Sequence, residues 1–426
     1  MSDIRSTPIP GYRYTVRPGD TPVSISARAY GDRQRWPDIW RANETRLRSG
    51  NPNLIYPGEV LYIPELPERR QVADRLPGSA PDSIRVVSEG IELPVTSARL
   101  IRTMDTAADA MTAMIPWTPG ADRQLDELLL PYRYPDIDVY LGGELIMSGR
   151  IYTVKRQVTQ DGRVVEIEAF STTVDLVQCT VRPPYEYRRI DLVQFAEVYC
   201  APKGLRVEVD PVIGDDVDMQ ANGPTWTADP METEFEFLDR IAGQYGLLIS
   251  STVTGDFLWT RANTSGRPVD TLDENETPLP EEYTATFDGT KRYSAYRAIH
   301  DDQEGGRVTV DTDPTVPGIR FLTFRADEQR PGNVASAARW RKNKTIADAL
   351  TVPFPVSGWR DRQDRLWREN SIVTVISPTL SLPDGFDFLI KRVEYVYASD
   401  GVSAILQLVP PQVYTGEDVP EPWRVA

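Results

Sequence analysis

Cysteine and histidine are nearly absent. The 426-residue chain holds two cysteines, Cys179 and Cys200, and a single histidine, His300. Two cysteines do not make a disulfide framework, and both are expected to sit as small buried hydrophobes. Zinc sites draw several ligands from Cys and His, so no metal site is expected, nor any cofactor. Acid–base work near neutral pH most often uses His. A Cys–His hydrolase would have to pair His300 with Cys200, which ends the predicted helix in "DLVQFAEVYCAPKG". The helix dipole raises a thiol pKa at that end, whereas activation favours the other. No catalytic residue is assigned. Long apolar runs are missing too: none approaches the roughly 18–20 residues that span a bilayer. The start, "MSDIRSTPIPGYRY", has no signal-peptide stretch. A soluble product made in a cytoplasm, with no membrane contact, is expected.

Positive charge is also in short supply. Lys and Arg number 47 against 63 Asp and Glu, for a net charge of −16. Residues 1–66 hold nine Arg and seven acidic residues, net +2, which leaves −18 for the remainder. Tight nucleic-acid binding needs Lys and Arg to displace phosphate counterions, so the acidic body argues against it. Apolar material is plentiful. Hydrophobic residues make up 40% of the chain and aromatics 9%, enough for the cores of roughly three domains.

Residues 12–65 carry one compact pattern. "YRYTV" alternates as a short strand, and "GD" makes a turn. Asp20 or Thr21 can cap a helix that has Pro22 at its first position. A second helix follows in "RWPDIWRANETRL", and "NPNLIYPGEVLYIPE" gives a loop, a Pro-Gly turn and a closing strand. The order is βααβ. With "YGD…RW…I…N" and a closing "PGEVLYIP", the module resembles the LysM family. That resemblance places ligand contacts in two loops, here Gly19, Asp20 and Thr21, and Leu54, Ile55 and Tyr56. The family often has Leu-Trp after "GDT" where this chain has Pro22-Val23, which removes an aromatic from the sugar-stacking surface. The two loops are read either as a protein-docking surface or as a glycan groove, and Gly19, Asp20 and Pro57-Gly58 also serve simply to shape turns.

"LPERRQVADRLPGSAP" mixes charge with Pro, Gly and Ser and reads as a linker. Beyond it strands dominate. Residues 84–171 offer several, joined by the hairpin turns "LGGE" and "QDGR". "DLVQFAEVYCAPKGLRVEVD" and "TEFEFLDRIAGQYGLLISST" each give an amphipathic helix stopped by a glycine, Gly204 or Gly246, and then a strand. Strands return after Tyr283, around one helix in "NVASAARWRKNKTIADAL". Aligning Asp161-Gly162 with Asp400-Gly401 matches Ile151 to Ile390, Val154 to Val393, Val158 to Tyr397, and Ile167-Glu168 to Leu406-Gln407. Either two unrelated DG hairpins look alike, or one barrel type occurs twice.

Several stretches carry a second resemblance: "ETEFEFLDRIAGQYGLLISSTVTGDFLWTRA", "VPGIRFLTFRADEQ", "ARWRKNK", "VPFPVSGWRDRQDRLWRENSIVTV" and "KRVEYVYASDG". They resemble contractile-tail hub proteins of the Mu-like tail-protein and late-control-protein-D kind, over about 84–414. The resemblance implies a mainly β fold with α+β parts: a βααβ LysM module, two tube-like β-barrels and a small α+β domain. The expected boundaries are 1–66 for LysM, 67–82 for a linker, 83–178 for the first barrel and 179–265 for the α+β domain. Connecting strands fill 266–330, and the second barrel with its tail fills 331–426. It also implies a structural, non-enzymatic role in the virion tail baseplate, assembled in the host cytoplasm. The implied assembly is a homotrimeric ring joining a hexameric tail tube protein to a trimeric spike protein, with DNA passing through its channel unbound. LysM would then dock wedge or sheath-initiator proteins of the baseplate. The alternative is a tail-associated protein that binds or hydrolyses peptidoglycan, targeted by LysM. "SGWRDRQDRLWREN" adds a candidate interface at Trp359, Arg360, Arg362 and Trp367, since Trp and Arg are favoured interface anchors. Its other reading is a salt-bridged turn with two packed tryptophans.

Overall fold

The N-terminal pattern folds as its capping residues dictate. In the computed structural model strand β1 (Ile4–Arg5) lies parallel to β2 (Arg13–Thr15). Helices α1 (Pro22–Tyr30) and α2 (Trp36–Arg41) follow, and β3 (Val60–Tyr62) closes antiparallel on β2. Thr21 and Ser24 cap α1 reciprocally: the Ser24 N–H donates to Thr21 Oγ1 at 3.1 Å, and the Thr21 N–H to Ser24 Oγ at 2.9 Å. Pro22 starts the helix where no N–H is needed. Tyr14, Val16, Ile25, Ile39, Leu61 and Ile63 form the buried centre. The described residues are 4–5, 7–30, 35–43, 46–49, 54–64, 80–159, 162–215, 217–221, 223–276, 288–300, 307–325, 334–349 and 352–414. Most of the expected linker and the C-terminal tail therefore lie outside them.

Seven strands come next: β4 (Ile84–Ser88), β5 (Ile91–Leu93), β6 (Ser97–Thr103), β7 (Ala110–Pro116), β8 (Asp136–Leu141), β9 (Glu144–Thr159) and β10 (Gly162–Ser171). They pair in the order β6-β7-β10-β9-β8-β4-β5. Helix α3 (Arg123–Leu128) sits between β7 and β8, capped by Asp122, whose carboxylate accepts from the N–H groups of Gln124 and Leu125. Alternation along β10 buries Val165, Ile167 and Ala169 on one side. This is the period-2 pattern the sequence shows.

The middle section holds α4 (Val174–Gln178), β11 (Glu186–Tyr187), α5 (Leu192–Cys200), β12 (Val207–Val209), β13 (Trp226–Thr227), α6 (Glu234–Gln244), β14 (Leu248–Ser251) and β15 (Phe257–Thr260). Asp191 caps α5, accepting from the Gln194 N–H. Gly204 and Gly246 take φ of +83° and +66°, the left-handed stops expected of them. Tyr187, Phe195, Tyr199 and Phe237 meet edge to face, Phe195 and Phe237 at 5.0 Å, and Trp226 lies tilted against Phe195. Cys200 is buried as expected, whereas Cys179, just past the end of α4, is exposed. The expectation for Cys179 is thus corrected: a five-residue helix has no inner face deep enough to cover the residue after it.

The last section contains β16 (Thr271–Asp273), β17 (Ala295–His300), β18 (Arg307–Thr312), β19 (Phe321–Arg325), α7 (Val334–Ala349), β20 (Val352–Ser357), β21 (Ile372–Ser377), β22 (Leu382–Ala398) and β23 (Gly401–Val409). Strands β17–β19 form their own sheet, and α7 packs on it. The others join the first strand set, because β22 pairs antiparallel with β6, Tyr395 opposite Leu100. The two strand sets thus share one twelve-stranded ladder and one large core. By contacts the chain divides into two compact units. One is Met1–Ala73 with Asp175–Glu208 and Asp218–Phe237; the other is Asp74–Val174 with Val209–Val217 and Leu238–Ala426.

The long hairpins β9–β10 and β22–β23 are copies in register. Val154 faces Ile167, and Val393 faces Leu406. Each pairing is broken by a bulge: Thr153 faces Glu168 but Ile151 faces Ala169, which leaves Tyr152 over, while Arg392 faces Gln407 but Ile390 faces Leu408, which leaves Lys391 over. Tyr152 and Lys391 are equivalent in the alignment read from the sequence. Two unrelated DG hairpins would share a turn, but nothing in a turn fixes a bulge ten residues away. The shared bulge favours a repeat of one strand unit.

Candidate functional site

Of the six LysM loop residues, three have structural duties. The Asp20 carboxylate accepts from the Tyr14 hydroxyl at 2.6 Å and the Arg17 N–H at 2.8 Å, and it pairs with Arg28. Burial opposes its ionisation, but these donors outweigh that and hold its pKa below the usual range. Thr21 is spent as the α1 cap, and Ile55 lies in the module's core. Gly19 is exposed at φ +87°. Leu54 and Tyr56 are both exposed, and Glu59 shapes their loop by accepting from the Tyr56 and Arg48 N–H groups. The surface these loops offer is therefore Gly19, Leu54 and Tyr56.

Another face of the module is occupied. The α2 face packs on the C-terminal end of α5 in the same compact unit. Trp36 and Trp40 bury themselves against Ala201, with Val23 and Leu47 beside them. Trp36 Nε1 donates to Glu197 Oε2 at 3.0 Å, and Arg41 Nε donates to the Ala201 carbonyl at 2.8 Å. Gly204 makes room: a Cβ there would lie 3.2 Å from the Arg41 guanidinium. Burial pushes the Glu197 carboxyl up to about 7; the Trp36 N–H works against the shift and Asp191 adds to it. The sequence shows the i, i+4 spacing of the two tryptophans but not that their face has a partner 160 residues away.

The candidate interface at 357–370 folds differently from an exposed anchor. The segment turns back on itself: Arg360 bridges Leu366, and the Trp367 N–H donates to the Trp359 carbonyl at 2.9 Å. That pairing drops both indoles into the main core, Trp359 1% and Trp367 4% exposed. Their expected role as anchors for a partner is corrected accordingly, since their surface is already used. Arg360 turns to Glu144 at 2.9 Å, and Arg362, well exposed, reaches Asp270. Asp361 pins the turn by accepting from the Gln363 and Arg365 N–H groups.

A buried charge cluster went unread in the sequence. Arg102, 3% exposed at the end of β6, donates through Nε to Glu369 at 2.9 Å and lies 3.1 Å from Asp109. Its remaining N–H groups reach the carbonyls of Ile146 (2.6 Å) and Ser251 (3.1 Å). Ser251 Oγ also donates to Asp109 at 2.7 Å. Burial pushes Asp109 up to about 6 despite Arg102, whereas Glu369, largely but less completely buried, is held low by the guanidinium. One cation thus joins β6, β9, β14 and the segment before β21. Among the described residues no group of three or more His, Cys, Asp or Glu is placed to hold a metal ion, and no helix is long and apolar enough to cross a membrane.

A repeated strand unit in one ladder, a small α+β part and a LysM module at the front are features that phage-tail proteins of the baseplate share with this chain. Residues 332–417 match the fourth domain of the Mu phage baseplate assembly protein GpP, 173–261 the second domain of baseplate hub protein gp44-like, and 14–64 the LysM domain. Baseplate hub protein gp44 of Escherichia phage Mu is 24% identical over 327 residues, 74% of this chain and 84% of that protein. Over most of its length the chain is therefore similar to Mu-like baseplate hub and tail proteins, with a LysM domain at its N-terminal end. In fold it is similar to the 43 kDa tail protein of prophage MuSo2 from Shewanella oneidensis (TM-score 0.65, 22% identity, 80% of this chain, 99% of that one). It is similarly close to the tail protein of Neisseria meningitidis MC58 (0.64, 20%, 78% and 98%). The LysM portion is 48% identical over 52 residues to the potassium binding protein Kbp of Escherichia coli O6:H1, covering 12% of this chain and 34% of that protein.

Proposed function

We propose that the chain assembles as a homotrimeric ring that joins a hexameric tail tube to a trimeric spike. DNA passes through its channel without specific binding. The observation that carries this reading is the repeated hairpin with its repeated bulge. Three copies of a chain with two equivalent strand units present six equivalent elements, which matches a threefold object to a sixfold one. The net charge of −16 supports a non-adhesive path for DNA, since an acidic wall repels phosphates. The role is structural, as the hub protein it resembles is a baseplate component by name.

The LysM module is read as a docking element for neighbouring baseplate proteins, through Gly19, Leu54 and Tyr56. Its attachment to α5 supports a fixed placement. The exposed Tyr56 ring also favours a second reading, peptidoglycan contact, since an aromatic face can stack on sugar. Retention of residues 1–66 on purified wall, compared with retention on baseplate proteins, separates the two. For the ring, the test is the mass of the purified chain, alone and with its spike protein. A particle of about three times 48.0 kDa is expected, and a monomer under both conditions overturns the reading.

A further inference from the structure

The two long hairpins differ in what lies beside them. Below the bulge they are covered alike: the Ile151 N–H donates to the Pro135 carbonyl at 3.0 Å, and the Ile390 N–H to the Ser371 carbonyl at 2.8 Å. Above it they part. In the second hairpin, residues 392–397 of β22 pair with β23 on one side and with β6 on the other. The Lys391 carbonyl accepts from the Met104 N–H at 3.0 Å, and the two-residue period turns the backbone groups of Val393, Tyr395 and Tyr397 to β6 as well. The equivalent stretch of the first hairpin, residues 153–158 of β9, pairs with β10 on one side. On its other side it has no strand partner among the described residues. The difference shows in burial. Val393, Glu394 and Tyr395 are buried, whereas Val154 is half-buried and Lys155 and Arg156 are exposed. The free edge thus offers the backbone N–H and C=O groups of Val154, Arg156 and Val158.

We propose that this edge takes a strand from a second copy of the chain. The inference rests on the ring reading and locates its closure. The repeat selects the occupant. Inside one chain, the edge of the second hairpin is filled by β6, a strand of the first unit. Three chains with two units each have six junctions between successive units around a ring. Three of these lie within chains and are the β6–β22 pairings. The other three lie between chains, and there the long strand of a first unit meets the second unit of the next chain. Equivalent edges in equivalent places are filled alike, here by main-chain hydrogen bonds to an added strand. Charge at the junction separates right from wrong partners. Arg99 of β6 pairs with Glu394 of β22. The position equivalent to Glu394 is Lys155, which pairs with Glu166 at 2.8 Å and with Glu168. A lysine there disfavours the arginine of a β6 from another chain, and so disfavours a junction between two first units. The incoming strand belongs to a second unit.

Sedimentation velocity and hydrogen exchange on the full chain, with no other protein present, test this. Wild type is expected as a trimer in which the Val154, Arg156 and Val158 amides exchange about tenfold or more slowly than after dilution to monomer. Arg156→Pro removes an N–H from the free edge and leaves the β9–β10 ladder its bonds. Arg156→Ala keeps that N–H and gives up only the side-chain contacts with the Leu129 carbonyl and the Trp117 ring. The proline variant is expected to need a concentration higher by about tenfold or more for half assembly, and the alanine variant to assemble as wild type does. Two variants that both assemble normally, or that are weakened equally, overturn the edge pairing and leave the ring standing. If Arg156→Pro does not fold, exchange in the wild type decides: amides that exchange alike in trimer and monomer overturn the pairing. Protection that appears only when the tube protein is added also overturns it, because the occupant is then not a second copy. A wild type that stays monomeric overturns both pairing and ring.

Discussion

Arg102 holds two carboxylates and two carbonyls, nearly all out of solvent. Taking the guanidinium away leaves Asp109 and Glu369 as buried, unpaired charges. Arg102→Met is therefore expected to destabilise the fold by about 3–5 kcal/mol, read as a drop in the urea midpoint. The same cluster gives a pH dependence whose sign can be worked out. Asp109 is raised in the fold, so its neutral form is favoured there. Its contribution is fully present below its ordinary carboxylate pKa and is lost as pH rises through about 6. Glu369 is lowered, so its contribution is present above its ordinary pKa and is lost as pH falls below it. Between pH 5 and 7 Asp109 therefore dominates. Stability should fall over that range by roughly 1 kcal/mol, and Asp109→Asn should flatten the profile. A wild-type profile that rises between pH 5 and 7 would refute the assignment. None of this is legible in "LIRTMDTAADA", because Glu369 is 267 positions from Arg102 and only pairing of β6 with β22 brings them together.

At the scale of elements, the α2–α5 contact decides how LysM is carried. Glu197 sits at its centre, raised to about 7 by burial. A raised carboxyl favours the packed arrangement when protonated, so packing is firmest below the ordinary glutamate pKa and loosens as pH climbs through 7. Asp191, at the start of α5, pushes in the same direction, and the Trp36 N–H pushes against it. Hydrogen exchange of the α2 amides, corrected for intrinsic rate, should be faster at pH 8 than at pH 6. Glu197→Gln keeps an acceptor for Trp36 and should abolish the difference; a difference that persists in that variant would assign it to another group. Elements that depend on local chemistry could be read in advance: the Thr21 cap with Pro22, the Gly204 and Gly246 stops, the DG hairpins. The fate of Trp359 and Trp367 could not. Alternating Arg and Asp suggest an exposed face, but the bridge between Arg360 and Leu366 turns the flanking indoles inward together. Composition marks such a turn as polar and says nothing about which side its tryptophans take.

At the scale of the whole molecule, the repeat makes a claim that one chain can test. The alignment legible in the sequence places Val158 of the first hairpin on Tyr397 of the second, and the shared bulge gives that alignment a physical basis. Val158 is 79% exposed near the β9–β10 tip, and Tyr397 is partly exposed near the β22–β23 tip. Under the ring reading, each subunit offers these tips to two successive subunits of a sixfold tube. A photo-crosslinking residue placed at Val158, and separately at Tyr397, should therefore capture the same peptide of the tube protein in assembled particles. Equivalent positions in a repeat face equivalent surfaces only if the assembly respects the repeat. If one tip captured the tube and the other the spike, the two units would have different duties, and the match of three to six would lose its basis even with a trimer in hand. Capture of one tube peptide from both positions would tie the bulge at Tyr152 and the bulge at Lys391 to a common purpose: each bends a long strand at the same point, so that both hairpins reach the partner at the same angle.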